Sequence, residues 1–238
     1  MAPESLGIAL ACEDRLHWLA AHVLVAWQLQ AAGSNYPLDM RTCPMRSHAD
    51  GTPYTKLTSL DAVWAQVAAQ KRLPRPHGWI RGKPLQPEAD LFRKLAMLYH
   101  ALGLPIAALV VVRDLDGCAE RKAGFAQVKA GFPDLPFAMV LAAPQPEVEA
   151  WFVAGYRGPL ADGRTLGLKF SPVRESERLT SRPNYAPTDA KRVFLQMFGG
   201  DEDAATVALT RVACDANAPA ELRAFLAAVD AEVAGRLG

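Results

Sequence analysis

Three carboxylates stand directly behind the two most apolar short runs of the chain. Glu13 follows LGIALAC (residues 6–12), and Asp114 and Asp116 follow IAALVVVR (106–113) in the string VVVRDLDG. Short uninterrupted runs of this kind read as strands covered on both faces. In open α/β sheets, ligands bind beyond the carboxyl ends of the strands. If these two strands are neighbours, the three acids converge on one point, where their mutual repulsion favours a cation between them. Oxygen donors without His or Cys select Mg²⁺ or Mn²⁺ over zinc. The spacing of Asp114 and Asp116 suits a turn leaving a strand, and Gly117 lets that turn bend tightly. The same DxDG string also serves as a plain turn held by Asx hydrogen bonds.

A second acidic pair, Glu147 and Glu149 in PEVEAWF, comes after a third apolar run, PFAMVLA (136–142). As function, one or both would ligate a second metal. As structure, both would be first-turn acids offsetting a helix dipole. Residues two apart on a helix do not share a face, so a regular helix aims only one of them at a site.

Cations gather elsewhere. The segment KRLPRPHGWIRGK (71–83) holds Lys71, Arg72, Arg75, Arg81 and Lys83 around His77 and Trp79, and no acid lies between Asp61 and Glu88. Such a segment can position phosphates while its Trp stacks on a base; the plainer alternative is a solvated loop with one anchoring Trp. A second cationic stretch, Arg164 to Arg182, includes Lys169, Arg174 and Arg178, diluted by Glu175 and Glu177. Lys191 is a candidate for stabilising transition-state charge, or else an exposed helix lysine. His17 lies near enough to Glu13 in sequence to hydrogen-bond it, with core packing as the alternative. The histidines form no catalytic constellation by spacing, and GxSxG, P-loop and GxGxxG motifs are absent.

The elements that must position these groups alternate. Apolar residues at helical spacing predict a helix over 15–31, closed by Gly33. A weak strand is expected at 38–43 and a helix at 59–70. An amphipathic helix comes next at 88–102, then the strand at 106–113, a helix over 119–130 and the strand at 136–142. Pro146 is placed to open a further helix at its first turn. This alternation implies a parallel, right-handed α/β sheet flanked by helices. Residues 44–87 read as an insertion rich in Pro and Gly. After residue 157 comes a Gly/Pro/Arg-rich stretch, then helices near 188–198, 202–214 and 219–236. The expected organisation is one α/β domain over 1–157 with a helical C-terminal extension over 158–238.

Composition narrows the class. The chain has 238 residues, half of them hydrophobic and 21% charged, with 26 Lys+Arg against 25 Asp+Glu, a net charge of +1. Those figures exclude a polycation, a disordered tail and a coiled-coil array. Four cysteines, Cys12, Cys43, Cys118 and Cys214, contain no CxxC pair, which argues against a zinc framework or disulfide scaffold and for free thiols in a reducing cytoplasm. No apolar run approaches the ~20 residues of a membrane span.

The order strand–Glu13, helix, strand, helix, strand–Asp114-x-Asp116, helix, strand resembles the Toprim domain of topoisomerases, primases, recombination-repair proteins and OLD-family nucleases. PEVEAWF is similar to the acidic E-x-E-x-W segment of a bacterial Toprim-like family often encoded beside ATPases in phage-defence settings. The resemblance spans about residues 6–155, with a weaker echo in PTDAKR (187–192). Asp14 stands where many Toprim domains have Gly. The resemblance implies Mg²⁺- or Mn²⁺-dependent cleavage of nucleic-acid phosphodiesters, DNA rather than RNA, with Glu13, Asp114 and Asp116 as acid and metal residues. It also implies a separately encoded ATPase as partner, and it leaves the oligomeric state open. Two other readings compete. One is a non-catalytic scaffolding subunit of a defence complex. The other is a haloacid-dehalogenase-like phosphatase, with Asp114 as nucleophile, Asp116 as acid and GGDED (199–203) as the late acidic motif.

Overall fold

The computed structural model describes residues 7–33, 54–73, 78–118, 120–181 and 186–237. Four parallel strands form the central sheet. They are β1 (Gly7–Cys12), β2 (Thr55–Lys56), β5 (Ile106–Val112) and β6 (Ala138–Ala142), in the order β2-β1-β5-β6. The weak strand expected at 38–43 lies outside the described residues; the strand beside β1 is Thr55–Lys56.

Alternation along the strands divides the core into two layers. Ile8, Leu10, Cys12, Ala108, Val110 and Val112 face one side; Ala9, Ala11, Leu109, Val111 and Met139 face the other. The first side is covered by α1 (Arg15–Ala31), α5 (Glu149–Ala154), α6 (Ala190–Phe198), α7 (Glu202–Ala213) and α8 (Ala220–Val229). The second is covered by α2 (Leu60–Lys71), α3 (Ala89–Leu102) and α4 (Glu120–Gly131). A strand packed on both faces has no polar side to offer, which is why β1 and β5 are apolar throughout. The described residues end in a π-helical turn (Asp230–Ala234) and a last helical turn, α9 (Gly235–Leu237).

Most elements fall within a residue or two of their expected bounds. Gly33 comes after the α1 cap at φ +76° and donates to Gln30, as a left-handed closing residue should. One start differs. The helix expected from Pro146 begins at Glu149, behind Val148, because residues 143–147 run alongside the segment leaving β5 instead of coiling. Among the described residues, no helix is long and apolar enough to cross a membrane.

Candidate metal centre

Strand register builds the site. Cys12 pairs with Val112, and Val112 pairs with Ala142, so three strands end in one row. Glu13 and Asp114 therefore leave adjacent strands at the same edge. Beyond the row the pairing continues: Arg113 N donates to Ala142 O (3.0 Å), Leu115 N to Pro144 O (2.9 Å) and Asp116 N to Pro146 O (3.3 Å). This zipped pair of loops carries Asp114 and Asp116 alongside Glu147. Asp116 and Gly117 both adopt positive φ, +48° and +75°, in a turn closed by Cys118 N donating to Leu115 O.

Two overlapping groups of ligand atoms result, each lying within 4.8 Å of one another: Glu13, His17 and Asp114, and Asp114, Asp116 and Glu147. Asp114 belongs to both. It is 3% exposed, accepts from Val148 N through Oδ1 (2.9 Å), and faces His17 Nε2 through Oδ2 at 3.1 Å. The second group offers only carboxylate oxygens, the donor set of Mg²⁺ or Mn²⁺.

His17 does not pair with Glu13. Its Nδ1 lies 2.7 Å from Asp14 Oδ1, and its Nε2 faces Asp114. Both ring nitrogens thus meet atoms that only accept, so the imidazolium is the form that fits. Burial works against that charge, but Asp114 and Asp14 overcome it and push His17 up to about 10. Asp14 also caps α1, accepting from Leu16 N and His17 N. An Asp after the first Glu thus has a local purpose that a Gly could not serve.

Arginines hold the rim. Arg113 pairs with Glu13 and, through two bonds of 3.0 and 2.8 Å, with Glu88. Arg121 pairs with Glu88 and Asp116, both at 2.9 Å. Burial opposes the Glu88 charge, yet Arg113 and Arg121 keep its carboxyl below the usual range. Neither arginine nor Glu88 stands out in the sequence, although Arg113 is a cation closing an otherwise apolar run.

Glu147 and Glu149 part company where α5 begins. Glu147 lies ahead of the helix and joins Asp114 and Asp116; Glu149 is the first residue of α5 and belongs to neither ligand group. Burial, reinforced by Asp114 and Asp116 against the opposing Lys191, raises the Glu147 carboxyl. Glu149 is buried at 5% exposure, its Oε2 has no hydrogen-bond partner among the described residues, and burial with repulsion from Glu147 lifts it to about 7. Lys191, in the first turn of α6, reaches to 3.4 Å from Glu147 Oε1. Asp189 aims that turn by capping α6 through Arg192 N (2.8 Å).

Among the described residues, the basic insertion does not join this cluster. Lys71 ends α2, and Arg72 caps it in the left-handed region. Trp79, Arg81 and Lys83 sit on an exposed two-stranded hairpin, β3 (Trp79–Ile80) with β4 (Lys83–Pro84). Arg75 and His77 lie outside the described residues. Ile80 packs at Gly131, the last residue of α4, whereas Arg121 is on its first turn. Ten residues of helix put about 15 Å between the two. The GGDED segment is not at a strand end either: residues 190–198 are helical, and Asp201 caps α7 through Ala204 N.

No family model, curated protein or solved structure matches the chain.

Proposed function

We propose that this chain is a divalent-cation-dependent phosphodiesterase of Toprim type acting on nucleic acid. The observation that supports this reading most is the convergence of Asp114, Asp116 and Glu147 within 4.8 Å beyond adjacent strand ends, with Glu13 beside Asp114. Acids outnumber cations there. Glu13, Asp14, Glu88, Asp114, Asp116, Glu147 and Glu149 face Arg113, Arg121, Lys191 and His17, so a divalent cation would offset a real excess of negative charge.

The donor set fits Mg²⁺ or Mn²⁺ held by Asp114, Asp116 and Glu147, with Glu13 as a further ligand. Such an ion, when bound, supplies Lewis-acid polarisation of a phosphoryl oxygen and a more acidic water. The chain's own residues do the rest. His17 and Val148 N fix Asp114 from two directions. Arg121 orients Asp116, and Arg113 orients Glu13. Lys191 stands at the edge of the cluster, where a cation stabilises charge developing on phosphate. Glu147 is steadied on its other side by Lys191, 3.4 Å from its Oε1. The exposed hairpin with Trp79, Arg81 and Lys83, whose Ile80 packs at the far end of α4, would serve as a steering surface for nucleic acid rather than part of the chemistry. DNA is the proposed substrate, with a separately encoded ATPase supplying what a chain without a P-loop lacks.

The test is cleavage of plasmid and oligonucleotide DNA with Mn²⁺. Wild type is expected to nick or cut, and Asp114→Asn to lose at least ~100-fold of that activity while melting as a folded protein. Cleavage retained by the folded variant would refute the assignment.

One observation favours a second reading, a non-catalytic binding subunit. Glu13, Asp114, Asp116 and Glu147 each already have a cationic neighbour in the chain, so the ligand groups can stand without an ion. Absence of Mn²⁺ binding, together with co-purification of a partner ATPase, would decide for that reading.

A further inference from the structure

The group of Glu13, His17 and Asp114 differs from the all-carboxylate group in offering a nitrogen. Its geometry begins locally. Asp14 caps α1 by accepting from Leu16 N and His17 N, and the same Oδ1 lies 2.7 Å from His17 Nδ1. His17 sits in the first turn of α1, on the buried face that it shares with Ala20, Ala21 and Leu24, and its side chain is 2% exposed. The ring is thus held with Nε2 aimed at Asp114 Oδ2, 3.1 Å away. That approach is close but not aligned for a hydrogen bond, and Nε2 has no hydrogen-bond partner among the described residues.

Two features of this arrangement are those of a metal ligand. A ligating imidazole gives its other N–H to a carboxylate, which fixes the tautomer and the ring plane; Asp14 is placed to do so at Nδ1. Bonds of about 2.1 Å to one ion put two neighbouring ligand atoms about 3 Å apart when they meet at a right angle. His17 Nε2 and Asp114 Oδ2 stand at 3.1 Å. Glu13 supplies a third side. Arg113 holds its Oε1 and leaves Oε2 without a partner among the described residues, and Glu13, 24% exposed, opens this side of the group to solvent.

We propose that Glu13, His17 and Asp114 form a second cation site, which takes a first-row transition-metal dication in preference to Mg²⁺. The imidazole nitrogen sets that preference, since Mg²⁺ seeks oxygen donors and nitrogen suits the transition metals. Loading exchanges the Nε2 proton for the ion; that proton leaves to solvent, and Asp14 keeps the one on Nδ1. The proposal rests on the cation-dependent reading only through Asp114, which both groups share, and it needs no nucleic acid.

The experiment is pulsed EPR of the full chain loaded with Mn²⁺ in excess Mg²⁺, which fills the all-carboxylate group, with calorimetric titration of Mn²⁺ under the same conditions. Wild type is expected to show Mn²⁺ coupled to an imidazole nitrogen. His17→Gln is expected to lose that coupling and to weaken Mn²⁺ about tenfold or more. A wild-type spectrum without nitrogen coupling overturns the site, whether or not the variant folds. Failure of Mn²⁺ to bind in excess Mg²⁺ overturns it as well, and so does coupling or affinity unchanged in folded His17→Gln. Because neither measurement contains DNA, the two readings fail separately. A nitrogen-bound ion in a chain that cuts no DNA sinks the phosphodiesterase alone; cleavage with Mn²⁺ bound by oxygen only sinks this site alone.

Discussion

Asp114 is held from two sides: a backbone amide fixes one carboxylate oxygen and His17 faces the other. The His17 charge is coupled to folding with a definite sign. Its ordinary value of 6.5 rises to about 10 in the fold, so its contribution is full below about pH 6.5 and is lost as pH rises through about 10. Urea unfolding of wild type and His17→Gln in metal-free buffer should therefore show a stability gap that narrows from pH 6 to pH 10; a widening gap would contradict the ion-pair account. Glu149 acts in a lower window. Burial raises it from 4.5 to about 7, so the folded state holds that proton more tightly, and stability is lost as pH climbs from 4.5 past 7. Glu149→Gln, which cannot ionise, should match wild type at pH 4.5 and exceed it by about 1–3 kcal/mol at pH 8. Equal melting behaviour at both pH values would show that the group is not desolvated.

At the scale of elements, the rim depends on how closely the segment before α3 lies on α4. A Cβ placed on Gly124 would meet Pro87 O at 2.1 Å and Ala89 N at 3.0 Å, both backbone atoms that cannot swing aside. Glu88, which clamps Arg113 and Arg121, lies between those two contacts. Gly124→Ala should therefore cost about 1–3 kcal/mol in urea unfolding and loosen the Arg113 clamp on Glu13. An unchanged midpoint would mean that the segment relaxes freely. The helical pattern of 119–130 marks α4 as a helix but cannot say that its Gly124 is a contact point, because a close approach is a property of two elements and periodicity belongs to one.

At the scale of the molecule, a net charge of +1 conceals a separation. Acids collect at one sheet edge, and Arg81 and Lys83 stand apart from them on the exposed β3–β4 hairpin. A divalent cation at the edge would turn the acidic region towards phosphate. It would also stabilise the fold by mass action, by about 2.7 kcal/mol at a hundredfold excess over its Kd. Scanning calorimetry with increasing Mn²⁺ should show a rising Tm in wild type and little rise in Asp114→Asn. A flat response in wild type would leave the cluster a structural ion-pair network.

Much of this was legible in the residues. The β-branched run IAALVVVR read as a doubly covered strand, and Asp114 and Asp116 then had to emerge at its carboxyl end, because chain order alone decides which residues leave a strand. The division of Glu147 from Glu149 was not: helical spacing separates two residues of one helix, whereas Glu147 lies ahead of a helix that begins only at Glu149. Other features were decided only by the tertiary structure. Strand order and register made Cys12, Val112 and Ala142 one row and so brought Glu13 to Asp114. The reach of His17 to Asp114 rather than Glu13, and the clamp of Glu88 on two arginines, join residues 97 and 25–33 positions apart. Of the basic segment read as a nucleic-acid grip, the described residues Lys71, Arg72, Trp79, Arg81 and Lys83 belong to neither ligand group. Charge is additive along a sequence, but its effect depends on distance, and distances between remote residues are set by how the layers pack.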